Sequence, residues 1–401
     1  MNSALSTKQS RRVLLLTYYF PPDLSAGSFR AEALANALIA ADPTLQLDVL
    51  TTEPNRYERH RPASSVVDRG YNVTSVSLPT KRHGILGQIR SFWAFALGVH
   101  RHLAIKRYDL VIATSSRLMT ACLGAWAASR TDACLYLDVR DIFAETLDDL
   151  FPGKLMWPVR RCFSLLERWP MSRADRVNVV SEGFLPYFRS RYTDKDYALF
   201  TNGIDEQFVA KNRSLPSFLP YELTGQRPHI VYAGNIGDGQ GLEKILPGLA
   251  LALGEQARMT IVGDGGARAR LLHACAEQSV SLNIRDPMPR EDLMALYDSA
   301  DVLFLHLNDY VAFKRVLPSK LFEYAATGKP ILAGVAGYAR SFIESELTGV
   351  AVFSPCNVDE AIDAFQKLLL KMTDRSAFIE KYNRHTIMTC MAKDVISYMP
   401  N

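Results

Sequence analysis

The chain has 401 residues, of which 48% are apolar and 22% charged; that is too long for one ordinary domain and sufficient for two buried cores. Its net charge of +4 is uneven, because residues 1–200 hold 26 Lys and Arg against 19 Asp and Glu while the remainder holds 20 against 23. That excess is too small and too dispersed for a nucleic-acid binder, and no RNA- or DNA-binding signature accompanies it.

No apolar stretch reaches the ~18 residues of a membrane-crossing helix. The opening "SRRVLLLTYYFPP" has a basic start and an apolar run, but the run stops at Pro21-Pro22 without a small-residue cleavage site, so it predicts a first buried strand. Six scattered cysteines (Cys122, Cys134, Cys162, Cys275, Cys356, Cys390) with no CxxC pair suit reduced core residues of a cytoplasmic protein.

In chain order, "RVLLLTYYF" precedes "SFRAEALANALIAAD", whose Ala33, Leu34, Ala37, Leu38 and Ala41 recur at helical spacing. Further strands are predicted in "LQLDVLTT", "YNVTSVSL", "DLVIATS", "ACLYLDVRD", "RVNVVS" and "YALFTNGID". Residues 206–227, polar and proline-bearing, read as a linker between an N-terminal domain (1–205) and a C-terminal one (228–385). The second half restarts with "HIVYAGNIG", "ARMTIVGDGG", "ADVLFLHL" and "KPILAGV". Residues 386–401 are predicted as a last helix that returns to the N-terminal domain. Strands alternating with helices predict an α/β protein of two doubly wound Rossmann-like domains facing across a cleft. Ligands in such sheets bind beyond the carboxyl ends of the strands.

Leu317–Val335, "LPSKLFEYAATGKPILAGV", is the most informative stretch. Pro318 stiffens the entry, Ser319 is a good N-cap, and Gly328 before Lys329-Pro330 is a helix stop. A short helix from Ser319 to Thr327 would offer free amides and its dipole to a phosphate. Lys320 and Glu323, three apart, share a face: one can neutralise a diphosphate, the other accept from a ribose hydroxyl. An exposed Lys–Glu pair on a capped helix has the same spacing.

Together, "YYFPPDLSAGSFRAEALANAL", "LDVRDIFAE", "VVSEGF", "TNGID", "YAGNIGDGQGLE", "IVGDGG" and "PSKLFEYAATGKPILA" resemble, in order and spacing, the family 4 glycosyltransferases. These are retaining enzymes of the GT-B fold, and the likeness is to the bacterial subgroup that builds surface polysaccharides. The resemblance implies that Glu323 binds the donor ribose and that amides near Leu317, Pro318, Ser319 and Lys320 hold the diphosphate. It implies that Gly27 lets backbone approach the donor phosphates, although a plain strand-to-helix turn reads the same way. Gly234 falls in the loop that often reads "GR…KG" in the family, and Gly263 in a tight turn lining the nucleotide pocket.

Two departures stand out. Asn235 and Gln240 occupy positions where the family commonly has arginine and lysine. Arg315 stands where the family's Glu-x7-Glu motif has its first acid, Glu323 being the second. Lys314, Arg315 and Lys320 are the cations that remain for a diphosphate; a solvated basic loop is the plain reading of the first two.

Asp138, Arg140 and Asp141 close a buried strand, and Asp138 or Asp141 is expected to orient or deprotonate an acceptor hydroxyl; an Asp–Arg structural pair is the alternative. The Asp194/Asp196 pair lies in a polar run and is not expected to bind metal. No cofactor or metal is expected, the nucleotide sugar being a substrate. Residues 84–107 and 154–169 mix aromatic with basic side chains, which fits core-facing helices or an anionic membrane surface. The expected function is transfer of a hexose or N-acetylhexosamine from a nucleotide diphosphate sugar, UDP-linked, to a lipid-linked saccharide, at the cytoplasmic face of the inner membrane. The rivals are a nucleotide-sugar 2-epimerase on the same scaffold and a non-catalytic nucleotide-sugar-binding protein.

Overall fold

The computed structural model describes residues 11–23, 25–54, 69–79, 84–115, 117–142, 157–214 and 227–399. They fall into two compact units. One runs to Thr201 and takes up the chain again from His385; the other is Asn202–Arg384.

In the first unit, β1 (Arg12–Leu16), β2 (Gln46–Thr52), β3 (Asn72–Val76), β4 (Leu110–Thr114), β5 (Cys134–Val139), β6 (Arg176–Val179) and β7 (Tyr197–Leu199) form a parallel sheet in the order β3-β2-β1-β4-β5-β6-β7. Val13 to Leu16 and Leu110 to Ala113 are buried without interruption. Continuous apolar runs are what a parallel sheet covered on both faces demands. The Ala26–Ala41 helix packs Ala31, Leu34 and Leu38 against Val13, Leu15 and Val49. The same cluster takes in Met388, Met391 and Val395 of the Arg384–Ser397 helix, so the chain's last helix completes the first unit's core.

In the second unit, β8 (His229–Ala233), β9 (Arg258–Val262), β10 (Asn283–Arg285), β11 (Val302–His306), β12 (Ile331–Gly334) and β13 (Val350–Phe353) form a parallel sheet in the order β10-β9-β8-β11-β12-β13. Strand alternation separates its two cores. Val231, Leu303, Leu305, Ile331 and Ala333 face one cluster, whereas Ile230, Tyr232, Ile261, Phe304 and Leu332 face the other. Strand order reverses between β1 and β4 in one sheet and between β8 and β11 in the other. Those are the switch points where loops part and leave a crevice.

Four details depart from the sequence reading. The expected linker begins with a helix, Glu206–Ser214, because Phe208 and Val209 are buried in the second unit's core; residues 215–226 lie outside the described residues. β10 and β13 were not expected: the first has three residues and exposed ends, and both are edge strands. Ser319 is the first helical residue, with Pro318 in the cap position and no side-chain cap bond. Cys122 and Cys275 are buried, as core cysteines were expected to be, but Cys162 and Cys390 are exposed.

Candidate nucleotide-diphosphate site

Three glycines shape the floor of the second unit's switch point. Gly234 ends β8 at φ +147, and Gly263 and Gly265 follow β9 at φ +152 and +155. A side chain on Gly263 would fall on the Gly234 carbonyl, and one on Gly265 on the Ile236 backbone. The two loops thus pack backbone to backbone, tied by Ile236 N donating to Asp264 O at 2.9 Å and Ala267 N to Ile236 O at 2.9 Å. Only glycine tolerates both the torsion and the approach.

Lys320 reaches over this floor. Its ammonium lies where a Gly234 side chain would be, and its Nζ stands 5.1 Å from the centroid of the Tyr232 ring. Lys320 sits in the first turn of the Ser319–Ala326 helix, where amides lack intrahelical acceptors and the dipole favours an anion. The helix ends at Gly328, φ +71, whose amide donates to Ala325 O at 3.1 Å. Leu317 itself is buried in the core, so it offers backbone and not side chain.

One turn on, Glu323 is half-buried. Burial pushes its carboxyl up, and Arg290 and then Lys320 pull it back without cancelling the rise. No hydrogen bond reaches this carboxylate from the described residues. A desolvated acid held between two cations with its lone pairs unfilled is arranged to accept hydrogen bonds from a ligand.

Asn235 and Gln240 satisfy each other: Asn235 Nδ2 donates to Gln240 Oε1 at 2.8 Å, and Gly237 N to the same oxygen at 3.2 Å. The pair closes the 234–241 loop on itself. Two residues not singled out from sequence pin that loop to the end of β11. His306 Nε2 accepts from Cys356 N at 2.9 Å, so Nδ1 donates to Gln240 O at 2.6 Å. Burial drives its pKa down to about 4. Asn308 Nδ2 donates to Asp238 O at 2.8 Å, and its Oδ1 accepts from Lys244 at 3.0 Å. Lys314 is exposed, 3.5 Å from Asp309, and Arg315 is half-buried at the end of the same short 3-10 turn.

The first unit corrects one expectation. Asp138 is 1% exposed, with Oδ2 accepting from Arg30 Nε at 2.9 Å and Oδ1 from Arg30 Nη2 at 2.9 Å and Asn178 Nδ2 at 2.7 Å. Burial alone would push its carboxyl up, but Arg30, Arg140 and Asn178 outweigh that and hold it below the usual carboxylate range. With both oxygens filled and no solvent, it cannot meet an acceptor hydroxyl; it anchors Arg30, which also holds the Phe200 and Thr201 carbonyls. Asp141 lies exposed past the end of β5. Gly27 stands in the first turn of the Ala26–Ala41 helix, where a side chain would collide with the Arg140 guanidinium. Asp196 is taken by Arg176 and Tyr398, while Asp194 is exposed.

A family model described as "Glycosyl transferase 4-like domain" matches residues 27–203, and one described as "Glycosyl transferases group 1" matches residues 220–385. The probable glycosyltransferase WbjE of Pseudomonas aeruginosa is 26% identical over 257 residues, 62% of each chain. The putative colanic acid biosynthesis glycosyl transferase WcaI of Escherichia coli strain K12 is 27% identical over 228 residues, 56% of this chain and 53% of its own. These matches therefore span between about half and three-fifths of the curated relatives' length. Among solved structures, HepE of Anabaena in complex with UDP-glucose is similar in fold, with a TM-score of 0.65 at 15% identity over 96% of this chain and 99% of its own. The two family models lie end to end across most of the chain, one on each parallel sheet, and the protein belongs to the family 4 glycosyltransferases of the GT-B fold.

Proposed function

We propose that the chain moves a hexose or N-acetylhexosamine, with retention, from a UDP-linked donor to a lipid-linked saccharide in surface polysaccharide assembly. The observation that carries this reading is the ammonium of Lys320 over Gly234, with the unfilled carboxylate of Glu323 one turn further on. Lys320 and the first-turn amides of its helix stabilise the leaving diphosphate, and Glu323 accepts from the donor ribose. Charge develops on the diphosphate as the glycosidic bond breaks, so a cation held there lowers the barrier more than it tightens the ground state. The departing diphosphate oxygen takes the acceptor proton from the same face, and Asp141 orients the acceptor hydroxyl. UDP is favoured because HepE, similar in fold, holds UDP-glucose; the saccharide pathway, because WcaI is described as a colanic acid enzyme.

The test is incubation with labelled nucleotide sugars and a bacterial lipid extract. UDP release with a labelled lipid product of retained anomeric configuration supports the reading. An epimerised donor supports a 2-epimerase, and binding without turnover a non-catalytic protein.

A surface on the first unit supports the lipid-linked acceptor. The Gly84–Ile105 helix buries Phe95, Val99 and Leu103 and turns Ile89, Trp93 (67% exposed) and Leu97 outward. The Trp157–Arg173 helix likewise exposes Leu165 and Trp169. Both pack against the Leu118–Thr131 helix. The only acid in these three helices, Glu167, is buried and accepts from Tyr187 at 2.9 Å. Arg90, Arg101, Arg161 and Arg168 are exposed. Lys106 is committed to Asp48 at 2.8 Å, and Arg107 donates to Arg130 O at 3.0 Å. An outward face that carries apolar side chains and cations and, among the described residues of these helices, no exposed acid suits an anionic bilayer. No helix among the described residues is long and apolar enough to cross a membrane. The protein should sediment with anionic vesicles at low salt and detach in ~0.5 M salt; indifference to such vesicles at low salt would leave a soluble acceptor as the better reading.

A further inference from the structure

Asp205 joins two arginines in the second unit. Its Oδ2 is paired with Arg290, the first residue of the Arg290–Ser299 helix, and its Oδ1 with Arg384. Arg384 is buried, and its remaining donors hold the carbonyls of Asn202 at 2.8 Å and Gly203 at 3.0 Å. The Ile204 amide donates to Tyr382 O at 2.7 Å, and its carbonyl accepts from Arg384 N at 2.9 Å. Residues 202–205 and 382–384, where the chain enters and leaves this unit, are therefore one clamp, held by backbone bonds and by Arg384, which Asp205 neutralises.

A packed row leads from the clamp to the donor residues. The Arg290 guanidinium lies 5.3 Å from the centroid of Phe208. Phe208 stacks on Tyr297 at 6.2 Å, and Tyr297 meets Tyr324 edge-on at 5.4 Å. Tyr324 follows Glu323, and its hydroxyl accepts from Ala233 N at 3.2 Å, next to Gly234. Arg290 is thus paired with Asp205 at one end of this row, and Glu323, next to Tyr324 at the other end, attracts its charge.

We propose that Arg290 is a positioning residue of the donor site, dividing its charge between Glu323 and Asp205 so that the clamp at the chain's entry sets how much of that charge Glu323 feels. The proposal rests on the reading that Glu323 takes the donor ribose. Among the described residues, the charged and titratable groups that act on Glu323 are Arg290 and Tyr297 from one helix and Lys320 and Tyr324 from its own. Two carboxylates sharing one guanidinium respond with opposite signs. Without Arg290, Glu323 keeps Lys320 as its one cation among the described residues and protonates at higher pH. Without the charge on Asp205, Glu323 has the guanidinium undivided and protonates at lower pH.

The experiment is a carboxyl titration of Glu323 by carbon-13 NMR without nucleotide, its signal assigned by its loss in Glu323→Gln, alongside UDP affinity at pH 7. Arg290→Gln is expected to raise the midpoint by about one unit and to weaken UDP on the order of tenfold. Asp205→Asn is expected to lower the midpoint. Arg290→Lys, which keeps the charge if Asp205→Asn does not fold, is expected to shift the midpoint upward by less and to restore most of the affinity. An unmoved midpoint in folded Arg290→Gln, a rise in Asp205→Asn, or unchanged UDP affinity in Arg290→Gln overturns the proposal. Wild-type UDP affinity in Glu323→Gln overturns the ribose reading instead, and the two are told apart because the titration is read without nucleotide.

Discussion

Asp138 in the first unit, buried, and Glu323 in the second, half-buried, are both acids of a doubly wound unit whose charge an arginine attracts. Their surroundings use them in opposite ways. Asp138 has both oxygens filled by Arg30 and Asn178, and its carboxyl is held below the usual range. Glu323 has no hydrogen bond from the described residues, and its carboxyl is raised. A buried charge completed from inside the fold stabilises the fold; one left incomplete is reserved for something that arrives later. The sign of the shift therefore separates a structural acid from a ligand-binding one where sequence position does not.

The sharpest way to break that contrast is to remove each acid and measure stability. Asp138→Ala leaves Arg30 charged and buried without its partner, and unfolding in urea should show a loss of about 3–5 kcal/mol. Glu323→Gln removes a charge that the fold does not complete, and should change stability by no more than ~0.5 kcal/mol. Equal losses at the two positions would abolish the distinction.

His306 extends the contrast to a base. Both ring nitrogens are engaged while neutral, and its pKa is driven down to about 4, against ~6.5 when unfolded. Between those values the unfolded chain binds a proton that the native one refuses. The stability that His306 holds is fully present above pH ~6.5 and is lost as pH falls towards 4, up to ~3 kcal/mol. Urea titrations across that range should show the loss, and His306→Gln should flatten the slope; an identical slope in the variant contradicts the assignment.

Much of the fold was legible because buried parallel strands announce themselves as short, uninterrupted apolar runs, such as "RVLLL" and "DVLFLHL". What was missed had weak signals. β10 is three residues with exposed ends, and the Glu206–Ser214 helix shows Phe208 and Val209, alone among its described side chains, to its core within a polar stretch. At the site, the pairing of Lys320 with Glu323 on one helix was readable from their spacing. The placement of Lys320 over Gly234 was not, because the two are brought together by β8 and the Ser319–Ala326 helix. Asp138 stayed open between an acceptor-side acid and an Asp–Arg pair for the same reason: Arg30, which fills it, lies 108 residues earlier in the chain. Arg290 and Asp205, 85 residues apart, gave no local signal at all.

The central claim is that Lys320 serves the phosphates and Glu323 the ribose of one nucleotide. Calorimetric titration of the wild type, Lys320→Ala and Glu323→Ala with UDP and with uridine tests it most directly. Lys320→Ala should lose ~1.5–3 kcal/mol for UDP and almost nothing for uridine. Glu323→Ala should lose ~1–3 kcal/mol for both ligands alike, since each carries the ribose. Equal losses for UDP and uridine in Lys320→Ala, or undiminished uridine binding in Glu323→Ala, would contradict it.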